Sequence, residues 1–147
     1  MPRRLSATIL ATSLILIAFA GLATAAGTPK RGTYIDTKLQ VYVTTTKDAA
    51  SIKSFQAPCL RKLDTGATTQ SGSMTISRKI KINGKGGFSY SGNAKIFSSN
   101  PTPEVAKVAV KASFSGGKFK GTATFPAKYE CEVTSFSAKY YGVNPQG

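Results

Sequence analysis

The sequence predicts an all-β protein: a single antiparallel β-sandwich, or alternatively a small β-barrel, of about eight strands. Three observations carry this prediction. Apolar and polar residues alternate with a period of two in run after run beyond Leu39. Glycine-rich turns separate these runs at short intervals, which antiparallel neighbours permit and parallel ones do not. Helical periodicity is nearly absent, and the one rival helix, at 103–112, fits alternation better than the helical repeat.

The chain opens with a segment that reads as targeting rather than folding. Arg3 and Arg4 form a basic start, an apolar stretch runs from Ile9 to Leu22, and Ala23-Thr24-Ala25 supplies the small residues a signal peptidase reads. The apolar run falls short of the ~20 residues that span a bilayer. Residues 1–25 are therefore expected to be a cleaved secretory signal, with the cut after Ala25 or Ala26, leaving no transmembrane span. A bare arginine pair is a weak twin-arginine signal, and no cysteine follows the apolar run closely enough to take a lipid anchor. Residues 26–37 then read as an N-terminal extension and 38–147 as one antiparallel domain. Such a length is enough to bury one core without help from a metal.

Within the domain, Leu39, Val41 and Val43 alternate with Lys38, Gln40, Tyr42 and Thr44. A polar turn at Lys47-Asp48 leads to a second run, 51–56, closed by Pro58. Met74, Ile76, Ile80 and Ile82 share the next apolar face, with Thr75, Ser77, Lys79 and Lys81 opposite. Asn83-Gly84-Lys85-Gly86-Gly87 is a strong hairpin signal, because such turns need residues that reach positive φ. Phe88, Tyr90, Ala94 and Ile96 continue inward on the return strand, and two prolines within 98–104 mark a loop. Val108, Val110, Ala112 and Phe114 follow, then Gly116-Gly117, then Phe119, Gly121, Ala123 and Phe125. Two last strands are expected, one holding Tyr129, Cys131 and Val133 and one holding Phe136, Ala138 and Tyr140.

Composition excludes several chemistries. The chain has no His, no Trp and two Cys, which removes His-dependent catalytic sets and His-ligated or four-thiolate metal sites. No phosphate-binding glycine loop or calcium loop is present, so no cofactor and no metal is expected. Cys59 and Cys131 form an even pair which, after export to an oxidising compartment, is expected to close one disulfide; a redox thiol pair would want Cys-x-x-Cys spacing.

Two patterns resemble catalytic arrangements. On a strand, Glu130 and Glu132 would share a face about 7 Å apart, a spacing within reach of glycan-hydrolysing carboxylate pairs. The simpler reading is two solvated carboxylates, because nothing in the sequence builds a cleft around them. Ser115-Gly116-Gly117-Lys118 has Ser-x-x-Lys spacing, but it lies on a hairpin turn instead of the helix that chemistry uses. The chain is therefore read as non-enzymatic.

Charge is the most distinctive feature: 20 Lys+Arg stand against 6 Asp+Glu, a formal +14. Without Arg3 and Arg4 the balance is 18 against 6, or +12, above the magnitude of about 2–8 that solubility asks for. Lys79, Lys81, Lys107, Lys111, Lys118, Lys120 and Lys139 all occupy the polar phase of their strands. The plain reading is a solvated sheet face that discourages strand pairing. The functional reading is a positive face that meets an anionic polymer or surface such as the cell envelope. Only Arg31, Arg61 and Arg78 remain after the signal, which disfavours specific nucleic-acid recognition. Tyr34, Tyr42 and Tyr141 fall outside the apolar phase and could form a sugar-stacking surface, although exposed strand tyrosines also follow from β-propensity alone.

Ile80-Lys81-Ile82-Asn83-Gly84, Gly87-Phe88-Ser89-Tyr90-Ser91-Gly92, Ser115-Gly116-Gly117-Lys118-Phe119-Lys120-Gly121-Thr122, Cys131 and Phe136-Ser137-Ala138-Lys139 together resemble small secreted bacterial β-sheet proteins, mostly uncharacterised, with Gly-turned hairpins and one Cys pair. The resemblance implies a secreted, sheet-rich, disulfide-pinned domain and carries over no active site. Three functions follow as expectations: a secreted non-catalytic protein that associates with anionic envelope or extracellular polymers through its lysines; a secreted inhibitor or other module with a protein partner; and a glycan hydrolase using Glu130 and Glu132.

Overall fold

A computed structural model describes residues 27–143; the segment read as a signal, 1–25, lies outside the described residues. Nine strands form one antiparallel sheet: β1 (Thr33–Asp36), β2 (Val41–Thr45), β3 (Ser51–Lys62), β4 (Thr68–Ile76), β5 (Ile80–Lys81), β6 (Gly87–Phe97), β7 (Glu104–Ser115), β8 (Lys118–Thr124) and β9 (Thr134–Gly142). The order is β2-β1-β9-β8-β7-β6-β4-β3-β5, and β2 also pairs with β3, so the sheet curls into a near-closed ring of barrel-like form. Its narrowest link is β4 to β6, where only Ser73, Met74 and Thr75 find partners in Phe97, Ile96 and Lys95.

Alternation explains why the ring holds. Val41 and Val43 on β2, Phe55 and Ala57 on β3, Met74 and Ile76 on β4, Val108 and Val110 on β7, and Phe119 and Ala123 on β8 all turn inward and are buried. Tyr34 packs edge-on against Phe119, with ring centroids 4.8 Å apart, and Phe88 meets the same ring at 5.5 Å. Edge-to-face contacts of this kind match the positive rim of one ring to the negative face of the next. The buried Thr45 hydroxyl donates to the carbonyls of Lys30 and Gly32 and accepts from the Gly32 N–H at 2.9 Å, so this polar core position is satisfied.

Glycine is required at two places. Gly116 and Gly117 both have positive φ, at 57° and 75°, and make the two-residue turn that brings Ser115 opposite Lys118. Gly121 faces inward where β8 crosses close to β7. A Cβ there would stand 2.1 Å from the Lys111 carbonyl oxygen, so the close approach of β7 leaves no room for a side chain.

Four details differ from the sequence expectation. The stretch read as an extension, 26–37, contributes β1, whose Tyr34 lies in the core. The run 51–56 continues through Pro58 to Lys62. Beyond Gln56, β3 has no β2 partner, and the Pro58 carbonyl on that side accepts the Thr134 hydroxyl at 3.2 Å; the missing N–H therefore costs no ladder bond. The apolar run 74–82 is broken at Ser77–Lys79: β4 and β5 pair in succession along β3, so Ile76 and Ile80 both reach the core. The expected strand over 129–133 does not form. A single 3-10 turn, Ala127–Tyr129, ends on Glu130 with φ of 52°, and ladder pairing of β9 starts only at Thr134.

Candidate functional site

Cys59, near the end of the buried part of β3, is bonded to Cys131 in the segment before β9, with an S–S distance of 2.03 Å and a sequence separation of 72. The cross-link ties the β3–β4 hairpin to the segment that failed to become a strand. Two further contacts reinforce it: Glu132 donates its backbone N–H to the Leu60 carbonyl at 2.7 Å, and Arg61 pairs with the Glu130 carboxylate. The two glutamates thus do not sit on one strand face as expected. Glu130 belongs to a left-handed turn and a surface ion pair, and residues 131–133 join no ladder. The Ser115 and Lys118 pair likewise brackets an exposed hairpin turn.

The seven lysines divide into groups. On the outer wall, Lys118 of β8 lies directly opposite Lys139 of β9. Lys111 of β7 pairs with Thr122, while Lys120 of β8 pairs with Ser113 and Ser137, which sets Lys111, Lys120 and Lys139 on one diagonal across three strands. Diagonal neighbours stand ~7–8 Å apart at the backbone, so their fields overlap well within a Debye length. Lys81 joins them at a shallow surface depression lined by Asn83, Ser89, Lys111, Ser113 and Lys120. Lys107 lies four residues back along β7, opposite Asn93.

Lys79 is elsewhere. It shares a separate depression with Lys47, Lys53, Arg78 and Asp48. The Asp48 carboxyl is held below its usual range, first by the Thr46 hydroxyl and then by the Ala50 N–H, with a smaller share from the Lys79 charge. The ion pairs among the described residues, Arg61 with Glu130 and Lys128 with Glu104, use none of the seven lysines. Asp36, beside β9, spends its carboxylate on the backbone N–H groups of Lys38, Leu39 and Ser137.

Of the three tyrosines singled out by sequence, Tyr34 is core, and its hydroxyl exchanges hydrogen bonds with the Lys30 backbone. Tyr42 and Tyr141 are on the surface, Tyr141 at 78 % exposure. Ile35, which sequence reading left unremarked inside the presumed extension, lies between Tyr42 and Lys139 on the outer wall.

Compared with known proteins, the chain matches no protein-family model, no curated protein and no solved structure. It is a small all-β antiparallel protein with one disulfide, and its functional reading rests on its own residues.

Proposed function

We propose that the chain is exported, loses residues 1–25, and acts without catalysis by holding anionic envelope or extracellular polymer on the outer wall of β7, β8 and β9. The observation that supports this most is the side-by-side placement of Lys111, Lys118, Lys120 and Lys139, none of them in either of the ion pairs described above. Convergent positive side chains without local counter-charges raise the concentration of an anionic polymer at the surface, and that attraction falls as salt screens it.

The test is co-sedimentation of the oxidised protein with purified cell envelope from low to high salt. Capture is expected at low salt and should fall steeply with added salt. A variant carrying Lys111→Gln, Lys118→Gln, Lys120→Gln and Lys139→Gln should melt no lower than the parent and lose most of the capture. Equal capture by parent and variant would overturn the reading.

A second reading, a module with a protein partner, draws on the distal β3–β4 hairpin. Residues 61–71 are exposed, and before Ser73 the strand β4 pairs with β3 alone, leaving an open edge. Capture of a defined protein that persists in high salt and is lost when this edge is blocked would favour it.

A further inference from the structure

Resting on that reading, we infer that the polymer is an acidic polysaccharide, a chain of carboxylated sugars, and that it lies on a strip running across β2, β1, β9 and β8. Four outward residues stand in register along this strip: Tyr42 opposite Ile35, Ile35 opposite Lys139, and Lys139 opposite Lys118. With strands about 4.8 Å apart, the row is roughly 14 Å long. Tyr141, two residues beyond Lys139 on β9, extends the same face with the most exposed ring among the large apolar side chains described.

Two independent features point to an anion with an apolar side. First, Lys118 and Lys139 face each other directly, an arrangement that opposes folding unless a negative group sits between them. No described ion pair supplies that group, and Asp36, the one carboxylate on β1 or β2, is committed to backbone N–H groups. Second, the charged end of the row continues into Ile35 and two tyrosine rings in place of more charge. A pyranuronate has both halves of this pattern, a carboxylate at its rim and a face of C–H groups that packs on an aromatic ring.

Hydroxyl-bearing neighbours complete the fit. Thr33 and Thr44 stand opposite each other next to the row, their hydroxyls 3.4 Å apart, and Ser137 adjoins Lys139 along β9. Such groups exchange hydrogen bonds with sugar hydroxyls in either direction. Single-stranded nucleic acid would also use rings and cations, and Arg31 lines the depression beside Thr33 and Thr44, but such strands are typically held in a groove, whereas this row lies on the outside of the ring.

Binding of the oxidised protein to oligogalacturonate, its methyl ester and oligo-dT, measured by titration calorimetry at two salt concentrations, tests the inference. Oligogalacturonate should bind, the uncharged ester should bind at least tenfold more weakly, and oligo-dT should bind more weakly than oligogalacturonate at equal charge. Lys118→Gln with Lys139→Gln should reduce both the affinity and its salt dependence. Tyr141→Ala with Tyr42→Ala should cost roughly tenfold in affinity and leave the salt dependence in place, because stacking is not screened. Tyrosine variants that bind like the parent, or oligo-dT that binds as tightly as the uronate, would overturn the polysaccharide strip while leaving the anionic-surface reading intact. Absence of binding to every polyanion, with no envelope capture, would overturn both.

Discussion

At the scale of single residues, Glu104 is the carboxylate that joins an ion pair to a tyrosine hydroxyl. Its carboxylate accepts from the Lys128 ammonium at 2.7 Å and from the Tyr129 hydroxyl at 2.7 Å. Those contacts, the Lys128 bond first, hold its pKa below the ordinary 4.5. A group whose pKa is depressed by folding adds stability above its unfolded pKa and loses it as pH falls through the folded value. Glu104 is therefore expected to titrate below an ordinary glutamate when followed by carboxyl NMR, and Lys128→Gln should move it upward. The melting temperatures of parent and variant should converge as the solution is acidified past the folded pKa. Titration at the ordinary value in the parent would show that these contacts do not persist in solution. None of this was legible in the sequence, since Glu104 and Lys128 are 24 positions apart and come together only because β7 starts beside the turn that follows β8.

At the scale of elements, legibility follows burial. Strands β2, β6, β7, β8 and β9 present a clean inside and outside, and their alternation is plain in the residues. The first half of β4, Thr68-Thr69-Gln70-Ser71, has no apolar phase to read because both of its faces meet solvent. The error at Tyr129, Cys131 and Val133 is the converse: the alternation is present, yet the segment finds no ladder partner and is held by the disulfide and the Leu60 carbonyl. That arrangement makes the Cys59–Cys131 bond the covalent tie between the distal hairpin and the segment before β9. Closing a loop of this length is worth on the order of 4 kcal/mol in the chain-entropy picture. Reduction, or Cys59→Ser with Cys131→Ser, should lower the melting temperature. Amide exchange should accelerate first at 57–62 and 127–133, before the β6–β7–β8 wall changes. An unchanged melting temperature and exchange pattern after reduction would show that the Leu60 and Arg61 contacts suffice alone.

At the scale of the whole molecule, alternation identifies which lysines point outward, but strand order decides which of them meet. That order depends on the ring closing through β2 and β3 and on β1 inserting between β2 and β9, neither of which a linear pattern reveals. Hence Lys79, in phase with the others, lies on a different surface, while Lys118 and Lys139, 21 positions apart, are direct neighbours. A chain with formal charge +14 pushes against its own compact state, and facing lysines add to that locally. The protein should therefore become more stable as salt rises from low to physiological strength, the reverse of what a surface held together by ion pairs would do. Lys118→Glu converts the facing pair to an attractive one and should add about 0.5–1 kcal/mol in low salt, a gain that shrinks as ions screen it. Denaturant melts of parent and variant at two ionic strengths measure this, and a variant no more stable than the parent in low salt would remove the strain assigned to the pair. The same substitution should weaken polyanion capture. A stability gain coupled to a binding loss is the pattern of charge kept for a ligand at the expense of the fold, whereas a gain without a loss would mean that these lysines only keep the wall solvated.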